Sequence, residues 1–153
     1  MVDVGDAAPA FDLAAAGGGR VSSEGLKGKR YALYFYPKAD TSGCTVQAQG
    51  VQEALEELTR AGVTVIGVSP DPVRKLDAFA KKFGLTFPLA SDEAQALAGA
   101  YGTWVEKSMY GRKYMGMERS TFLVGADGRV TAVWRKVKPA DHAGLLLGAA
   151  KAA

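Results

Sequence analysis

One cysteine is the residue of this sequence most able to do chemistry. Cys44 is the only cysteine among 153 residues, and a short polar loop, residues 37–43, leads into it from an aromatic run. The sequence predicts that a helix begins near Cys44, where unpaired backbone N–H groups and the helix dipole favour the thiolate. A thiolate is nucleophilic and readily oxidised. An arbitrary lone cysteine is more often a small buried hydrophobe, but the polar neighbours and the helix start favour a reactive thiol.

Three further residues could help such a thiolate to attack a weak O–O bond. Thr41 lies three residues before Cys44, so its hydroxyl is placed to hydrogen-bond the sulfur or a peroxide. Pro37 lacks an N–H, so it ends the preceding strand and borders the pocket. Arg119 is the expected cation, because a guanidinium favours the thiolate and offers several donors to oxygen atoms. These four residues form the predicted catalytic set.

The other candidate residues carry weaker signals. His142, the only histidine, has no acidic or cysteine cluster at ligand spacing, so we expect no metal site. The glycines at 17–19 indicate a hairpin tip, since a phosphate loop needs a Lys-Ser/Thr ending and a helix after it. Trp104, Met109 and Tyr110 precede Arg119. One interpretation is that these three residues pack in a lid or in the core. The other is that they line the approach of a peroxide to the sulfur.

Length and composition indicate one globular domain over residues 1–153. The chain is 16.0 kDa, with 48% hydrophobic and 23% charged residues, which excludes disordered and fibrous classes. No apolar run approaches the ~20 residues that span a bilayer, and the N-terminus lacks the regions of a secretory signal. A single cysteine cannot form an internal disulfide, which fits a reducing cytoplasm. We expect a cytoplasmic monomer that does not contact membranes.

The positive charge of the chain is unevenly distributed. A net charge of +3 is too small to indicate nucleic-acid binding, but residues 105–138 contain eight basic and three acidic side chains. Such a segment is usually a solvated basic face. The sharper interpretation is a docking surface for an acidic partner protein, since charge complementarity mainly raises association rates.

Apolar patterns predict alternating strands and helices around the cysteine. The predicted elements are, in chain order, a hairpin at 10–22, a strand at 30–36, a helix at about 43–61, a strand at 63–68, helices at 72–83 and about 93–100, a hairpin at 120–136 and a helix at about 139–150. The early strand–helix–strand unit must be parallel and right-handed, whereas the late hairpin around Asp127-Gly128 is antiparallel. We therefore predict a thioredoxin-like α/β fold, a mixed sheet with helices on both faces, whose site lies beyond the carboxyl ends of the strands.

Two of these helices begin with cap signals. Asp71 precedes Pro72, a pattern typical of a cap residue followed by proline in the first helical position. Asp92 with Gln95 resembles a capping box. Both predictions place an aspartate side chain on a helix N-terminus.

The residues around Cys44 resemble those of a known family. The motif Pro37-x-x-x-Thr41-x-x-Cys44 is similar to the signature of the peroxiredoxins. The wider stretches 35–47 and 116–124 resemble the bacterioferritin comigratory protein subfamily, also called PrxQ. The resemblance covers nearly the whole chain, and Arg119 followed by the Ser-Thr-Phe-Leu strand makes it specific.

This resemblance implies a fold, an activity and a role for each site residue. It identifies Cys44 as the peroxidatic cysteine and carries the family's threonine, proline and arginine onto Thr41, Pro37 and Arg119. It implies a thioredoxin-like fold and thiol-dependent reduction of hydrogen peroxide and organic hydroperoxides, without metal or bound cofactor. The implied partners are a hydroperoxide and a thiol reductant.

The chain departs from the family pattern at two positions. Many relatives have a resolving cysteine five residues after the peroxidatic one, where this chain has Gln49; others have it in the next helix, but residues 76–83 contain none. Oxidised Cys44 therefore needs an outside thiol, which we expect to come from a thioredoxin-like protein or another reductant. Ser42 stands where relatives often have proline, and serine can compensate as a helix cap.

Two other functions remain open from sequence. A thiol–disulfide oxidoreductase of thioredoxin type would have Cys-x-x-Cys, but the fourth position here is Gln47. A peroxide-sensing redox switch or binding module on the same fold shares its first chemical step with a peroxidase. Turnover with added reductants distinguishes the sensor from the enzyme.

Overall fold

The structure is a computed structural model that describes residues 1–152. The strands of this part of the chain are β1 (Asp12–Ala14), β2 (Arg20–Ser22), β3 (Arg30–Phe35), β4 (Val63–Ser69), β5 (Leu89–Ser91), β6 (Trp104–Met109), β7 (Arg112–Met117), β8 (Ser120–Val124) and β9 (Val130–Trp134). The α-helices are α1 (Ser42–Arg60), α2 (Val73–Phe83), α3 (Ala96–Tyr101) and α4 (His142–Ala152). A 3₁₀ turn covers Glu24–Leu26. None of these helices combines the length and apolar character needed to cross a membrane.

Strand β3 lies at the centre of a five-stranded sheet ordered β5-β4-β3-β8-β9. It pairs in parallel with β4 and antiparallel with β8, so that Ala32 stands between Val65 and Leu123. Tyr34 pairs with Gly67, where a Cβ would lie 3.0 Å from the tyrosine ring. This arrangement confirms the predicted mixed sheet, with its parallel early strands and its antiparallel late hairpin.

Alternate residues of β3 face two separate hydrophobic clusters. Ala32 and Tyr34 pack with buried side chains of α1, α2 and α4, whereas Leu33 and Phe35 pack with α3 and the N-terminal segment. All four are at most 1% exposed, and burial of each large apolar side chain contributes about 1.5–3 kcal/mol. The prediction of helices on both faces is confirmed, with three helices on the face that holds Cys44.

Helix α1 confirms its predicted bounds to within one residue at each end. Ala48, Val51 and Leu58 are fully buried at helical spacing and pack against the sheet. The chain leaves the helix at Gly62, whose φ of +81° favours glycine. The site-bearing helix thus follows from its apolar pattern and its terminal glycine.

One of the two predicted aspartate caps, Asp71, does not form, and the other, Asp92, forms without its predicted partner Gln95. Helix α2 begins at Val73 without a side-chain cap, and the Asp71 carboxylate instead accepts from the backbone N–H of Ala39 at 2.7 Å. Helix α3 begins at Ala96, later than predicted, because Gln95 takes a φ of +57°. Asp92 still accepts from two N–H groups of α3, but the Gln95 side chain donates to the Glu93 carbonyl, so the capping box does not form.

The sequence analysis missed strand β5 and the ribbon of β6 and β7. The two ribbon strands pair with each other from Trp104↔Met117 to Met109↔Arg112. Their loop, Tyr110-Gly111, has positive φ at both positions, as the tightest hairpins require. The described strands pair the ribbon with nothing else, and its charged, exposed surface gave no apolar alternation to detect.

Candidate active site

Cys44 lies in the first turn of α1, where the loop after β3 meets the helix. The cap residue Thr41 has extended dihedral angles (φ −97°, ψ 157°), and its carbonyl accepts the N–H of Thr45 at 2.9 Å. The sulfur therefore lies beside N–H groups that have no partner within a helix. Cys44 is only 1% exposed and packs with Ala48 and Tyr36 in the core cluster.

Arg119 makes the polar contact to the sulfur. Its Nη2 atom lies 3.3 Å from Cys44 Sγ, and its carbonyl, just before β8, accepts the N–H of Val137 at 2.9 Å. Gly43 lies next to the guanidinium, and a Cβ there would stand 3.4 Å from Nη2, an ordinary contact distance. The structure thus brings together Cys44 and Arg119, 75 residues apart, and the guanidinium is a charged hydrogen-bond donor beside the sulfur.

Gln47 holds the guanidinium in place, and sequence analysis missed this role. The Gln47 side chain is 1% exposed, and its Oε1 accepts from Arg119 Nη1 at 2.5 Å. Gln47 follows Cys44 by three residues, so both lie on one face of α1. The signal was available in that spacing, but the sequence analysis considered position 47 only as the site of an absent second cysteine.

The structure places the Thr41 hydroxyl on the loop rather than on the sulfur. Thr41 Oγ1 donates to the Lys38 carbonyl at 2.8 Å, and the residue is exposed. The predicted hydrogen bond to Cys44 is not among the contacts of the described residues. Because a hydroxyl has one donor and two acceptor lone pairs, the Thr41 oxygen can still accept from a bound hydroxyl group.

Pro37 is separated from the end of β3 by one residue, Tyr36, and buried Asp71 fixes the loop that begins there. Tyr36 makes the last contact with β4, donating its N–H to the Val68 carbonyl at 3.0 Å, and Pro37 has no N–H to continue the ladder. One Asp71 oxygen accepts from the N–H of Ala39 and from the Ser69 hydroxyl, at 2.7 and 2.9 Å. The loop is therefore anchored to the end of β4 by a carboxylate that the sequence had assigned to α2.

Buried neutral groups surround the sulfur on the sheet side. Burial, followed by the neighbouring Tyr36 and Cys44, raises the pKa of Tyr34 well above its ordinary value. Burial, followed by the Arg119 charge, lowers the pKa of His142 to about 4. The His142 ring lies 5.0 Å from that of Tyr34, and its Nε2 shares a 2.8 Å hydrogen bond with Thr121 Oγ1. At neutral pH these side chains are uncharged, and Arg119 is the charged side chain that contacts Cys44 Sγ.

The ribbon and its tip carry the three remaining candidates, Trp104, Met109 and Tyr110. Trp104 is half-buried against the second hydrophobic cluster, whereas Met109 and Tyr110 at the tip are 56% and 98% exposed. The structure therefore separates three residues that the sequence treated together. Trp104 packs as core, and the other two project into solvent.

This arrangement suits nucleophilic chemistry by a sheltered thiolate. Cys44 is placed to act as the nucleophile, and Arg119 is placed to donate hydrogen bonds to oxygen atoms that approach the sulfur. Residues 1–152 contain no cluster of three His, Cys, Asp or Glu side chains that could hold a metal ion.

Comparison with known proteins gives consistent similarities over the whole chain. The pattern of the AhpC/TSA family matches residues 4–133. Peroxiredoxin Bcp of Escherichia coli strain K12 is 43% identical over 143 residues, which cover 94% of this chain and 92% of that protein.

Solved structures agree with these sequence similarities. The bacterioferritin comigratory protein of Xanthomonas campestris, described with an alkyl peroxide reduction activity, has a TM-score of 0.91 and 39% identity, covering 99% of this chain and 97% of that one. A cysteine-to-serine mutant of Xylella fastidiosa PrxQ has a TM-score of 0.94 and 35% identity, with the same coverage of both chains.

Proposed function

Because the chain belongs to the AhpC/TSA family, and within it to the Bcp or PrxQ peroxiredoxins, we propose that it reduces hydroperoxides through Cys44 and takes its reducing equivalents from an outside thiol. It is a thiol-dependent peroxidase, with hydrogen peroxide and organic hydroperoxides as substrates. The observation that carries this proposal is the 3.3 Å contact between Arg119 Nη2 and Cys44 Sγ.

In the first half-reaction the Cys44 thiolate attacks the terminal oxygen of the hydroperoxide. An S–O bond forms, the O–O bond breaks, and the other oxygen leaves as water or alcohol after taking up a proton. Arg119 hydrogen-bonds the oxygen atoms as charge moves onto the leaving one. The Thr41 oxygen accepts from the hydroperoxide O–H and Pro37 borders the pocket, so the peroxide is aligned for attack.

The second half-reaction must use a thiol from another molecule. Cys44 is the only cysteine of the sequence, so its sulfenic acid has no partner within the chain. A thioredoxin-like protein or another thiol attacks the sulfenic sulfur, and a second thiol releases Cys44. This chemistry fits a monomer of one domain acting in a reducing cytoplasm, where it contributes to redox homeostasis.

Counting turnovers separates this enzyme from a peroxide sensor. With dithiothreitol and excess hydrogen peroxide, we expect each protein molecule to consume many equivalents of peroxide. The Cys44→Ser variant should consume less than about one per cent of that amount, since no second thiol can replace Cys44. Consumption of one equivalent, with no turnover on dithiothreitol or thioredoxin, would contradict the enzyme and favour the sensor.

A further inference from the structure

A positively charged cavity lies beside Arg119, between the ribbon and the segment after β9. Its volume is about 500 Å³, within the range of small-molecule sites. Its lining includes three basic side chains, Lys107, Arg119 and Lys136. Arg119 belongs to both places, because the same guanidinium that lines the cavity contacts Cys44 Sγ.

The carboxylates around this cavity form no close ion pair with its three basic side chains. Lys107, Arg119 and Lys136 have no carboxylate within 4.0 Å among residues 1–152. Both acidic side chains of the lining are engaged elsewhere. Glu106 pairs with Lys113 at 3.6 Å, and Glu118 pairs with Arg135 at 3.7 Å.

Lys107 is a partly buried cation close to the positive charge of Arg119. Its ammonium group donates to the Met117 carbonyl, and the side chain is half-buried. Burial, followed by the Arg119 charge, lowers the pKa of Lys107, and the Glu118 charge offsets part of this effect. A bound anion would relieve this repulsion, so the cavity is built to favour negative charge.

We propose that this cavity binds a carboxylate-bearing thiol of low molecular mass, and that this thiol reduces oxidised Cys44. The inference rests on the proposed function. Lys107 and Lys136 bind the carboxylates, while the thiol is directed past Arg119 toward the sulfur. Because Cys44 is 1% exposed, the first turn of α1 must open for the two sulfurs to meet.

The chemistry balances with two molecules of the thiol. The first thiolate attacks the sulfenic sulfur of Cys44, so that an S–S bond forms, the S–O bond breaks and hydroxide leaves as water. The second thiolate attacks the outer sulfur of this mixed disulfide. The products are the Cys44 thiolate and an oxidised disulfide of the small thiol.

Cavity shape and substrate charge favour a small thiol over other occupants. Hydrogen peroxide is uncharged, so its binding gains nothing from Lys107 or Lys136. An acidic protein would spread its contacts over the exposed basic surface and would not need a concave site of about 500 Å³.

The kinetic test compares two thiols on pre-oxidised protein. Cys44 is oxidised with one equivalent of hydrogen peroxide, and stopped-flow measures its reduction by mercaptosuccinate, a dicarboxylate, and by uncharged thioglycerol. We expect the ratio of the two rate constants to fall by about three- to fivefold in Lys107→Gln and in Lys136→Gln, the effect of one partly exposed charge pair. Comparing this ratio between the wild type and each variant cancels the difference in intrinsic reactivity between the two thiols. Arg112→Gln removes an exposed charge outside the cavity and should leave the ratio unchanged.

A binding test examines the cavity without any turnover. Methylthiosuccinate, the same dianion with its sulfur blocked, is titrated into reduced protein and followed by amide chemical shifts. We expect saturable shifts around Lys107 and Lys136 that weaken in the two lysine variants and persist in Arg112→Gln. This measurement holds even if Cys44 proves inert to peroxide, a result that would contradict the proposed function alone.

Three results would overturn the inference. The first is the absence of saturable binding, and the second is a rate ratio that stays at the wild-type value in both lysine variants. The third is a thioredoxin-like acidic protein whose reduction of Cys44 slows in Lys107→Gln and Lys136→Gln while the mercaptosuccinate ratio does not change. That pattern would assign these lysines to a protein partner.

Discussion

At the scale of single residues, the site depends on the contact between the Arg119 guanidinium and the Cys44 sulfur. Arg119 reaches Cys44 Sγ with one terminal nitrogen and Gln47 with the other. Two contacts fix the plane of the guanidinium, so its donors are in place before a peroxide arrives. Preorganised donors of this kind stabilise charge that develops during reaction.

We expect Arg119→Ala to slow oxidation of Cys44 by hydrogen peroxide by about one to three orders of magnitude. Alkylation of the thiol by iodoacetamide at pH 7 should slow as well, because the positive charge that contacts the sulfur is gone. Stopped-flow fluorescence and mass spectrometry measure the two rates. Arg112→Ala, at the exposed end of the ribbon, is the matched control. Unchanged rates in Arg119→Ala would give Arg119 a structural role and leave Lys38 and Lys107 as the candidate cations.

Gln47→Ala should slow peroxide attack by about tenfold, less than loss of Arg119 itself. The variant keeps the guanidinium but removes the acceptor that orients it, and one buried hydrogen bond to a charged group contributes about 1.5–3 kcal/mol. Gln49→Ala is the control, since Gln49 is exposed on the same helix. Equal rates for the two variants would show that Arg119 is held by its backbone alone.

At the scale of elements, the first turn of α1 decides whether Cys44 can reach another sulfur. Its cap residue, Thr41, makes no side-chain cap hydrogen bond, and its hydroxyl donates to the Lys38 carbonyl instead. A side-chain cap commonly contributes about 0.5–2 kcal/mol. The turn that holds the nucleophile lacks that contribution and can open at modest cost.

A second cysteine at position 49 tests this opening. Positions 44 and 49 lie about 140° apart around a regular helix, so Gln49→Cys can form a disulfide with Cys44 only if the turn unwinds. We expect peroxide to produce this disulfide and to yield less sulfinic acid than in the parent protein, as seen by mass spectrometry. Glu53→Cys, about 13 Å along the helix axis, should form none. Sulfinic acid at the parent level in Gln49→Cys would mean that the turn stays closed.

Sequence reasoning located the elements with strong apolar patterns and missed those without them. Strand β3 follows from its continuous apolar run and α1 from apolar residues at helical spacing, and Arg119 followed from its place before β8. The ribbon escaped because its exposed strands mix charges with methionines, and its tip is Tyr110-Gly111 rather than the more usual Asn-Gly. The local sequence around Asp71 does not distinguish a cap of α2 from an anchor of the loop. Ala39 comes close to Asp71 only because β3 and β4 pair in parallel.

At the scale of the whole molecule, helix α4 closes the fold over the site. His142, its first residue, is 1% exposed and is bonded to Thr121 of β8. Further along, Leu146 is fully buried in the same cluster as Cys44. The packing of α4 therefore includes a titratable group that must stay neutral.

We expect this histidine to make stability depend on pH. The pKa of His142 is about 4 in the folded protein and about 6.5 when the chain is unfolded, so the unfolded chain binds more protons between these values. The contribution of neutral His142 is complete above pH 6.5 and is lost as pH falls toward 4, by about 3 kcal/mol. Urea unfolding of the wild type and of His142→Gln across this range measures it. A difference between the two proteins that does not vary with pH would contradict this linkage.

The ribbon is not paired with the five-stranded sheet, and this affects how fast its backbone can open. Strands β6 and β7 share hydrogen bonds with each other and with no strand of the five-stranded sheet in the described chain, so their pairing can break while that sheet remains intact. Their amide protons should exchange with deuterium through local opening, whereas those of β3 and β8 wait for global unfolding. Lys107 lies on the ribbon. One side of the charged cavity can therefore move on a shorter timescale than the part of the fold that holds Cys44.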